Sequence, residues 1–284
     1  MPWVFAMHKL RGIIALDLDD TLLNSKKELS DRNLSALEAA DAAGYVVVPA
    51  TGRFFDGMPA FIRDLPMLRY AITCNGSELL DIDMQKVLYR AEIPWQRAVA
   101  LMEYLDRYDL IYDCFMNGFG RMTAAMKLKI DEIVSDHVYS RKMLHELRLP
   151  VPELKSYLRQ EQTDVQKVQF FTREPSLTFE ILEKLPELFP DLQISSAVPG
   201  NVELNALDAT KGKALLFLAE HVDMRRSQTY AFGDGLNDIS MLRDAGIGIA
   251  MENAPDTVKL ASDTVTGHCD KDGVADYIEK YLLP

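Results

Sequence analysis

Cysteine is scarce in this chain. Its three cysteines, Cys74, Cys114 and Cys269, lie far apart and form no C-x-x-C pair, which excludes a zinc ribbon and a disulfide framework. A reducing, cytoplasmic setting is the expectation. No apolar run reaches the roughly 18 residues that a membrane-spanning helix needs, so no membrane partner is expected. Basic residues are also short, 31 Lys and Arg against 43 Asp and Glu, for a formal charge of -12. Such a surface repels a nucleic-acid backbone at long range. If the protein handles phosphate, it must supply a local cation, a lysine or a metal.

Other absences narrow the field further. The histidines, His8, His137, His145, His221 and His268, show no metal-ligand spacing. Neither a G-x-S-x-G elbow nor a G-K-[ST] nucleotide loop occurs. Gly233-x-Gly235 lacks the third small residue of a dinucleotide loop, because Asp238 occupies its place. Internal repeats and low-complexity runs are absent.

What is present is ordinary globular material, 48% hydrophobic and 26% charged over 284 residues, more than one core usually holds, so two domains are expected. The apolar stretch Met1 to Met7 precedes its bases, Lys9 and Arg11, and reads as a short tail upstream of a second usable start at Met7. The chain is then organised around Leu16-Asp17-Leu18-Asp19-Asp20-Thr21, which follows the apolar run Gly12 to Ala15 and precedes a turn at Asn24-Ser25. On a strand, Asp17 and Asp19 would point to one side and Leu18 to the other.

Ser30 is a helix cap, and Leu34, Leu37, Ala40 and Ala43 give helical spacing up to Gly44. Tyr45 to Ala50 is a buried strand ending at Thr51-Gly52-Arg53, followed by a helical pattern over Phe54 to Leu65 and a strand over Tyr70 to Cys74 closed by Asn75-Gly76. Alternating strands and helices imply a parallel sheet with right-handed crossovers, whose ligands bind at the carboxyl ends of the strands. Asp17, Asp19 and Thr51 fall at those ends, and N-H groups at a strand-to-helix junction such as Thr51-Gly52 bind anions. Arg53 reads as a substrate contact or as helix surroundings, and Asn75-Gly76 as hinge lining or a plain turn, the second reading of each being preferred.

From about residue 84 the alternation is lost. A helical face at Ala98, Leu101, Met102, Leu105 and Tyr108, helices over Ala124 to Val138 and Glu174 to Phe189, and strands over Leu110 to Met116, Val165 to Phe171, Leu192 to Val198 and Val202 to Leu207 suggest an inserted α+β domain. Between them, Ser140 to Gln162 is polar and without clear pattern. The sheet pattern resumes with a helix opening at Lys211-Gly212-Lys213, a strand over Gln228 to Phe232 ending in Gly233-Asp234-Gly235-Leu236-Asn237-Asp238, a strand over Ile247 to Ala250 and a closing helix over Gly273 to Tyr281.

Four signals thus occur in order: Asp17/Asp19, Thr51-Gly52, Lys211-Gly212, and Asp234 with Asn237-Asp238. Together they resemble the haloacid dehalogenase superfamily of aspartate-nucleophile phosphatases, in particular its Cof-type branch, over nearly the whole chain. The resemblance implies an α/β fold: a doubly wound, mainly parallel core of residues 1–83 and 208–284, with an α+β cap of residues 84–207 as a substrate lid. It makes Asp17 the nucleophile that takes the phosphoryl group, and Asp19 the general acid to the leaving oxygen and general base to the water that follows. Acids converging on one spot need a cation, and Mg²⁺ suits oxygen ligands plus substrate phosphate.

By the same resemblance, Asp17, the backbone carbonyl at Asp19 and Asp234 hold the metal with Asp238 in support. The Leu18 amide, Thr51, the Gly52 amide, Lys211 and Asn237 bind the transferred phosphate. Asp20 stands where the family often has glycine, a departure that touches the turn and leaves the charged positions intact. The expected activity is Mg²⁺-dependent hydrolysis of a small-molecule phosphate ester. A phosphomutase on the same core and a silent binder of a phosphorylated ligand are the alternatives, whereas a P-type ATPase would need membrane spans.

Overall fold

The computed structural model describes residues 10–134, 138–195 and 200–284. Met1 to Met7, His8, His137, the end of the strand expected over Leu192 to Val198, and Pro199 lie outside the described residues. The chain divides into two compact units: one runs up to Thr51 and takes in Ala60–Tyr89 and Thr210–Pro284, and the other comprises Gly52–Pro59 and Arg90–Ala209.

The first unit is built on a five-stranded sheet in the order Thr264–Val265, Ile247–Ala250, Thr229–Gly233, Gly12–Leu16, Tyr45–Pro49, and every pairing in it is parallel. Such sheets are covered on both faces, which explains why the strands read as unbroken apolar runs. On one face Ile13, Ala15, Val46 and Val48 pack with Leu215, Leu218, Met241 and Leu242 from the helices Lys211–His221 and Ile239–Asp244. On the other, Phe232 meets the ring of Tyr277 edge-on at 5.4 Å, and helix Asp31–Ala42 packs against the closing helix Gly273–Tyr277.

Local signals start and stop the helices as expected. The hydroxyl of Ser30 caps the first by accepting from the Asn33 amide at 3.0 Å, and Gly44 follows that helix with φ of +94°. Ala50 extends the sheet by bridging Ile72, which belongs to a three-stranded piece formed by Tyr70–Thr73, Glu78–Asp81 and Lys86–Arg90. The last two strands escaped sequence reading because each has only a short apolar stretch, Leu79-Leu80 and Val87-Leu88-Tyr89, between charged residues. Strand Gly12–Leu16 lies between neighbours from opposite directions of the chain, which makes its carboxyl end the topological switch point.

The second unit carries a six-stranded sheet in the order Leu192–Ser195, Asn201–Ala206, Lys167–Phe171, Ile111–Met116, Phe119–Thr123, Arg148–Val151. Its pairings are antiparallel except the last, which is parallel. One face, with Tyr112, Cys114, Met116, Val168, Phe170, Val202 and Leu204, is covered by helices Trp95–Leu105, Leu154–Glu161 and Pro175–Leu188. Among the alternate residues of the same strands, Asp113, Lys167, Gln169, Asn201, Glu203 and Asn205 are polar and buried beside Ile111, Phe115 and Phe171. There Arg148 and Gln169 both donate to Asp113, at 2.6 and 2.9 Å, and Lys167 donates to Glu203 at 2.6 Å.

Two sequence expectations need correction. The helix expected over Phe54 to Leu65 is instead a single turn, Phe55–Gly57, and a four-residue helix, Ala60–Arg63. Pro59 and Pro66 explain this, because a residue before proline is pushed out of the helical region, and Met58 is extended. The helix expected over Ala124 to Val138 is two short ones, Ala124–Leu128 and Ile130–Ile133. The polar segment from Ser140 to Gln162 is structured, as most of a helix, a strand Arg148–Val151 and a second helix Leu154–Glu161 capped by Glu153.

Candidate active site

Parallel register sets the site. Leu16 pairs with Phe232 on one side and with Pro49 on the other, so the residues that follow these strands emerge along one edge of the sheet. The Asp17 amide donates to the Phe232 carbonyl at 3.0 Å. The strand itself ends at Leu16, and the next residues turn: the Leu22 amide donates to the Asp17 carbonyl at 3.2 Å and the Leu23 amide to the Leu18 carbonyl at 2.8 Å. The direction of Asp19 is therefore decided by a turn and not by strand alternation.

Carboxylate oxygens of Asp17, Asp234 and Asp238 lie within 4.8 Å of one another. Lys211 is wedged among them with no exposed surface, and its ammonium donates to Asp17 Oδ1 and to Asp238 Oδ1, each at 2.6 Å. The other oxygen of Asp238 accepts from the amides of Asp234 and Gly235, at 3.0 and 2.8 Å, and so shapes the loop that carries Asp234. That loop needs its first glycine, since a Cβ at Gly233 would sit 2.5 Å from the Asp238 side chain. Burial raises the Asp17 carboxyl well above the usual range; Lys211 pulls it down, and Asp238 and Asp234 push it up. Burial likewise lifts Asp234 to about 7, helped by Asp238 and opposed by the Thr21 hydrogen bond. For Lys211 burial works downward, but the carboxylates of Asp17 and Asp238 outweigh it and raise the ammonium above its ordinary value.

Two buried acids and one half-buried acid around one ammonium leave an excess of negative charge that a hard divalent cation would offset, and the donors are all oxygen, the set such an ion prefers. The residues fit a metal of that kind. Thr51 is buried directly beyond Ala50; its amide donates to Ile72 and its carbonyl accepts from Asn75, at 2.9 and 3.0 Å. Because the helix after it is missing, Thr51-Gly52 is a strand-to-loop junction, and the helix-terminus argument for anion binding there does not hold. Gly52 falls in the second unit, where its carbonyl accepts from Lys167 at 2.9 Å. Asn237 donates its side-chain amide to Asn75 Oδ1 at 3.0 Å, and Leu18 is fully buried.

The chain matches the haloacid dehalogenase-like hydrolase family over residues 14–278. It belongs to that family. Among relatives of this hydrolase, the phosphatase YwpJ of Bacillus subtilis is 33% identical over 95% of this chain and 99% of its own. The pyridoxal phosphate phosphatase YbhA of Escherichia coli is 30% identical over 95% and 98%. The 5-amino-6-(5-phospho-D-ribitylamino)uracil phosphatase YcsE of Bacillus subtilis is 29% identical over 95% and 96%. A solved haloacid dehalogenase-like hydrolase from B. subtilis superposes with a TM-score of 0.83 at 28% identity, covering 95% of this chain and 99% of that one. A subclass IIB sugar phosphatase of the same superfamily gives 0.81 at 25%, covering 95% and 98%. The fold and Cof-type membership read from the sequence hold, and the chain is a hydrolase of phosphoric monoesters.

In this hydrolase several residues around the acids went unnoticed in the sequence. Thr21 donates its hydroxyl to Asp234 Oδ1 at 2.8 Å. Asn75, read as a plain turn former, has φ of +61° and holds Asn237. Gly76 has φ of +97°, and a Cβ there would run into the backbone of Thr210 and Lys211. An Asn-Gly pair at a strand end was the available signal, but nothing local says what it faces. A second set of metal-ligating atoms, from His268, Cys269 and Asp270, also lies within 4.8 Å, which spacing rules had not suggested for any histidine. Its atoms already serve the backbone: His268 Nδ1 accepts from the Asp270 amide at 3.1 Å, and Asp270 Oδ1 from the Ser25 amide at 2.8 Å. No described helix is long and apolar enough to cross a membrane.

Proposed function

We propose that this hydrolase is a cytoplasmic, Mg²⁺-dependent phosphatase of small phosphorylated metabolites, sugar phosphates or similar, working through an aspartyl phosphate on Asp17. The observation that carries the reading is the Asp17–Lys211–Asp238 cluster with Asp234 beside it, gathered at the carboxyl ends of adjacent parallel strands. The relatives named above act on chemically different phosphates. That spread favours the class of small phosphate esters without selecting one.

Asp17 attacks phosphorus, and the bond to the leaving oxygen breaks as Asp19 gives that oxygen a proton. Asp19, now a carboxylate, takes a proton from water, which attacks the aspartyl phosphate and returns Asp17 and inorganic phosphate. Asp17 must be ionised for the first step, and Lys211 at 2.6 Å favours that form. An ammonium carries three donors, so beyond Asp17 and Asp238 one is left for a phosphoryl oxygen. The Leu18 and Gly52 amides, Thr51 and the second amide proton of Asn237 supply the rest of the phosphate cradle. Asp17, Asp234 and the Asp19 carbonyl would hold Mg²⁺, with Asp238 in support; bound there, the ion neutralises charge on the acids and the ester. Residues 84–207 form a lid that excludes water and chooses the substrate.

The test is a phosphate-release screen over sugar, nucleotide and cofactor esters, run with Mg²⁺ and after chelation and repeated on Asp17→Asn. Release that needs the metal and vanishes in Asp17→Asn is the expected result. Activity surviving the substitution removes the nucleophile assignment. An isomerised ester in place of free phosphate would make the protein a mutase.

A further inference from the structure

Asp20 and Lys27 both have positive φ, +64° and +63°, in the left-handed region that disfavours side chains. Residues in such conformations persist where surrounding contacts over-determine them. Here the two hold each other, with Lys27 Nζ donating to Asp20 Oδ2 at 2.7 Å. The backbone of Asp20 is gripped from a distant part of the same unit: its carbonyl accepts from Asn253 Nδ2 at 2.8 Å, and Asn253 Oδ1 accepts from the Cys269 amide at 3.0 Å. The same ammonium lies 3.6 Å from Asp19 Oδ1, and the Lys27 side chain is 23% exposed.

We propose that Lys27, anchored by Asp20, is a positioning residue for Asp19. The Asp20 carboxylate pins the ammonium at a fixed point, and the ammonium attracts one oxygen of Asp19 from beyond hydrogen-bond range. The charge of the ammonium therefore biases the direction of the Asp19 side chain. This gives the carboxylate at position 20 a role that glycine could not fill. The inference rests on Asp19 acting as the proton donor proposed above.

The test compares kcat/KM on two esters under saturating Mg²⁺. One is p-nitrophenyl phosphate, whose leaving group departs without a proton; the other is glucose 6-phosphate, or whichever sugar phosphate the screen ranks first. Lys27→Met is expected to lower kcat/KM about ten-fold or more on the sugar ester and less than about two-fold on the nitrophenyl ester, since misplacing a proton donor harms only a poor leaving group. Lys27→Arg should keep most activity on both. Asp20→Asn, which tolerates the same backbone conformation, should repeat the selective loss and decides the matter if Lys27→Met does not fold. Equal loss on both esters, or none on the sugar ester, overturns the proposal. Asp19→Asn separates the two failures: a selective loss there with indifferent Lys27→Met and Asp20→Asn sinks the positioning role alone, whereas no selectivity in Asp19→Asn sinks the proton-donor reading and this one with it.

Discussion

Lys211 and Asp17 meet at 2.6 Å although 194 residues separate them, and the ammonium has no exposed surface. Without Asp17 the buried ammonium would keep Asp238 alone, and without the ammonium Asp17, Asp234 and Asp238 would face one another with no cation between them.

Lys211→Met removes the ammonium that Asp17 and Asp238 share. Breaking a buried pair by deleting one partner costs about 3–5 kcal/mol. A urea-unfolding midpoint lowered by a corresponding amount at pH 8 is expected in the metal-free protein. Activity should fall at least about 100-fold, as for loss of a preorganised donor. An unchanged midpoint would mean that the cluster does not need the cation.

The metal-free protein should lose stability as pH rises. Asp234 is held to about 7 in the folded chain, above its value of 3.8 elsewhere, mainly by burial and then by Asp238. The folded state therefore binds more protons than the unfolded state between those values, and stability declines with rising pH across that window. Asp17 shifts in the same direction. Melting temperatures measured in chelator should fall from pH 5 to pH 8, and Mg²⁺ should restore more stability at pH 8 than at pH 5. A flat or rising profile in chelator would contradict the burial of these acids.

Gly76→Ala tests a glycine packed against the backbone that carries Lys211. Its φ of +97° and the Thr210–Lys211 backbone lying where a Cβ would go leave no room for a methyl group. Overpacking of this kind costs about 1–3 kcal/mol. Because the displaced backbone carries Lys211, kcat should fall as well. Thermal melting with parallel kinetics reads both, and a variant with wild-type kcat would show that the Gly76 contact does not position Lys211.

Asn75→Gly keeps the left-handed backbone at position 75 and removes the acceptor for Asn237. Melting temperature should change little, whereas kcat/KM should fall about ten-fold through loss of orientation. Asn75→Ala, strained at the same φ, should lose stability too. A wild-type kcat/KM in Asn75→Gly with loss only in Asn75→Ala would assign Asn75 a backbone role alone.

Much of the core was legible because its strands are apolar runs ended by polar residues. Asp17, Thr51 and Asp234 each follow such a run, and a parallel sheet gathers strand ends at one edge. Reading failed where that contrast was weak or punctuated. Lys86–Arg90 has no buried residue to mark it as a strand. Pro59 and Pro66 break a helical spacing over Phe54 to Leu65 that the apolar pattern alone supports. Thr21 and Asn75 looked like turn formers because their partners, Asp234 and Asn237, lie 213 and 162 residues away.

By itself the sequence determined the apolar strands, the shortage of positive charge and the acids that follow those strands, since these follow from local composition and periodicity. Only the tertiary structure decided that one buried lysine serves both Asp17 and Asp238, that Thr21 steadies Asp234, and that a turn aims Asp19. The physical reason is that hydrogen bonds and charge interactions act over a few ångströms of space, and strand register, set by burial of the whole sheet, determines which distant residues come that close.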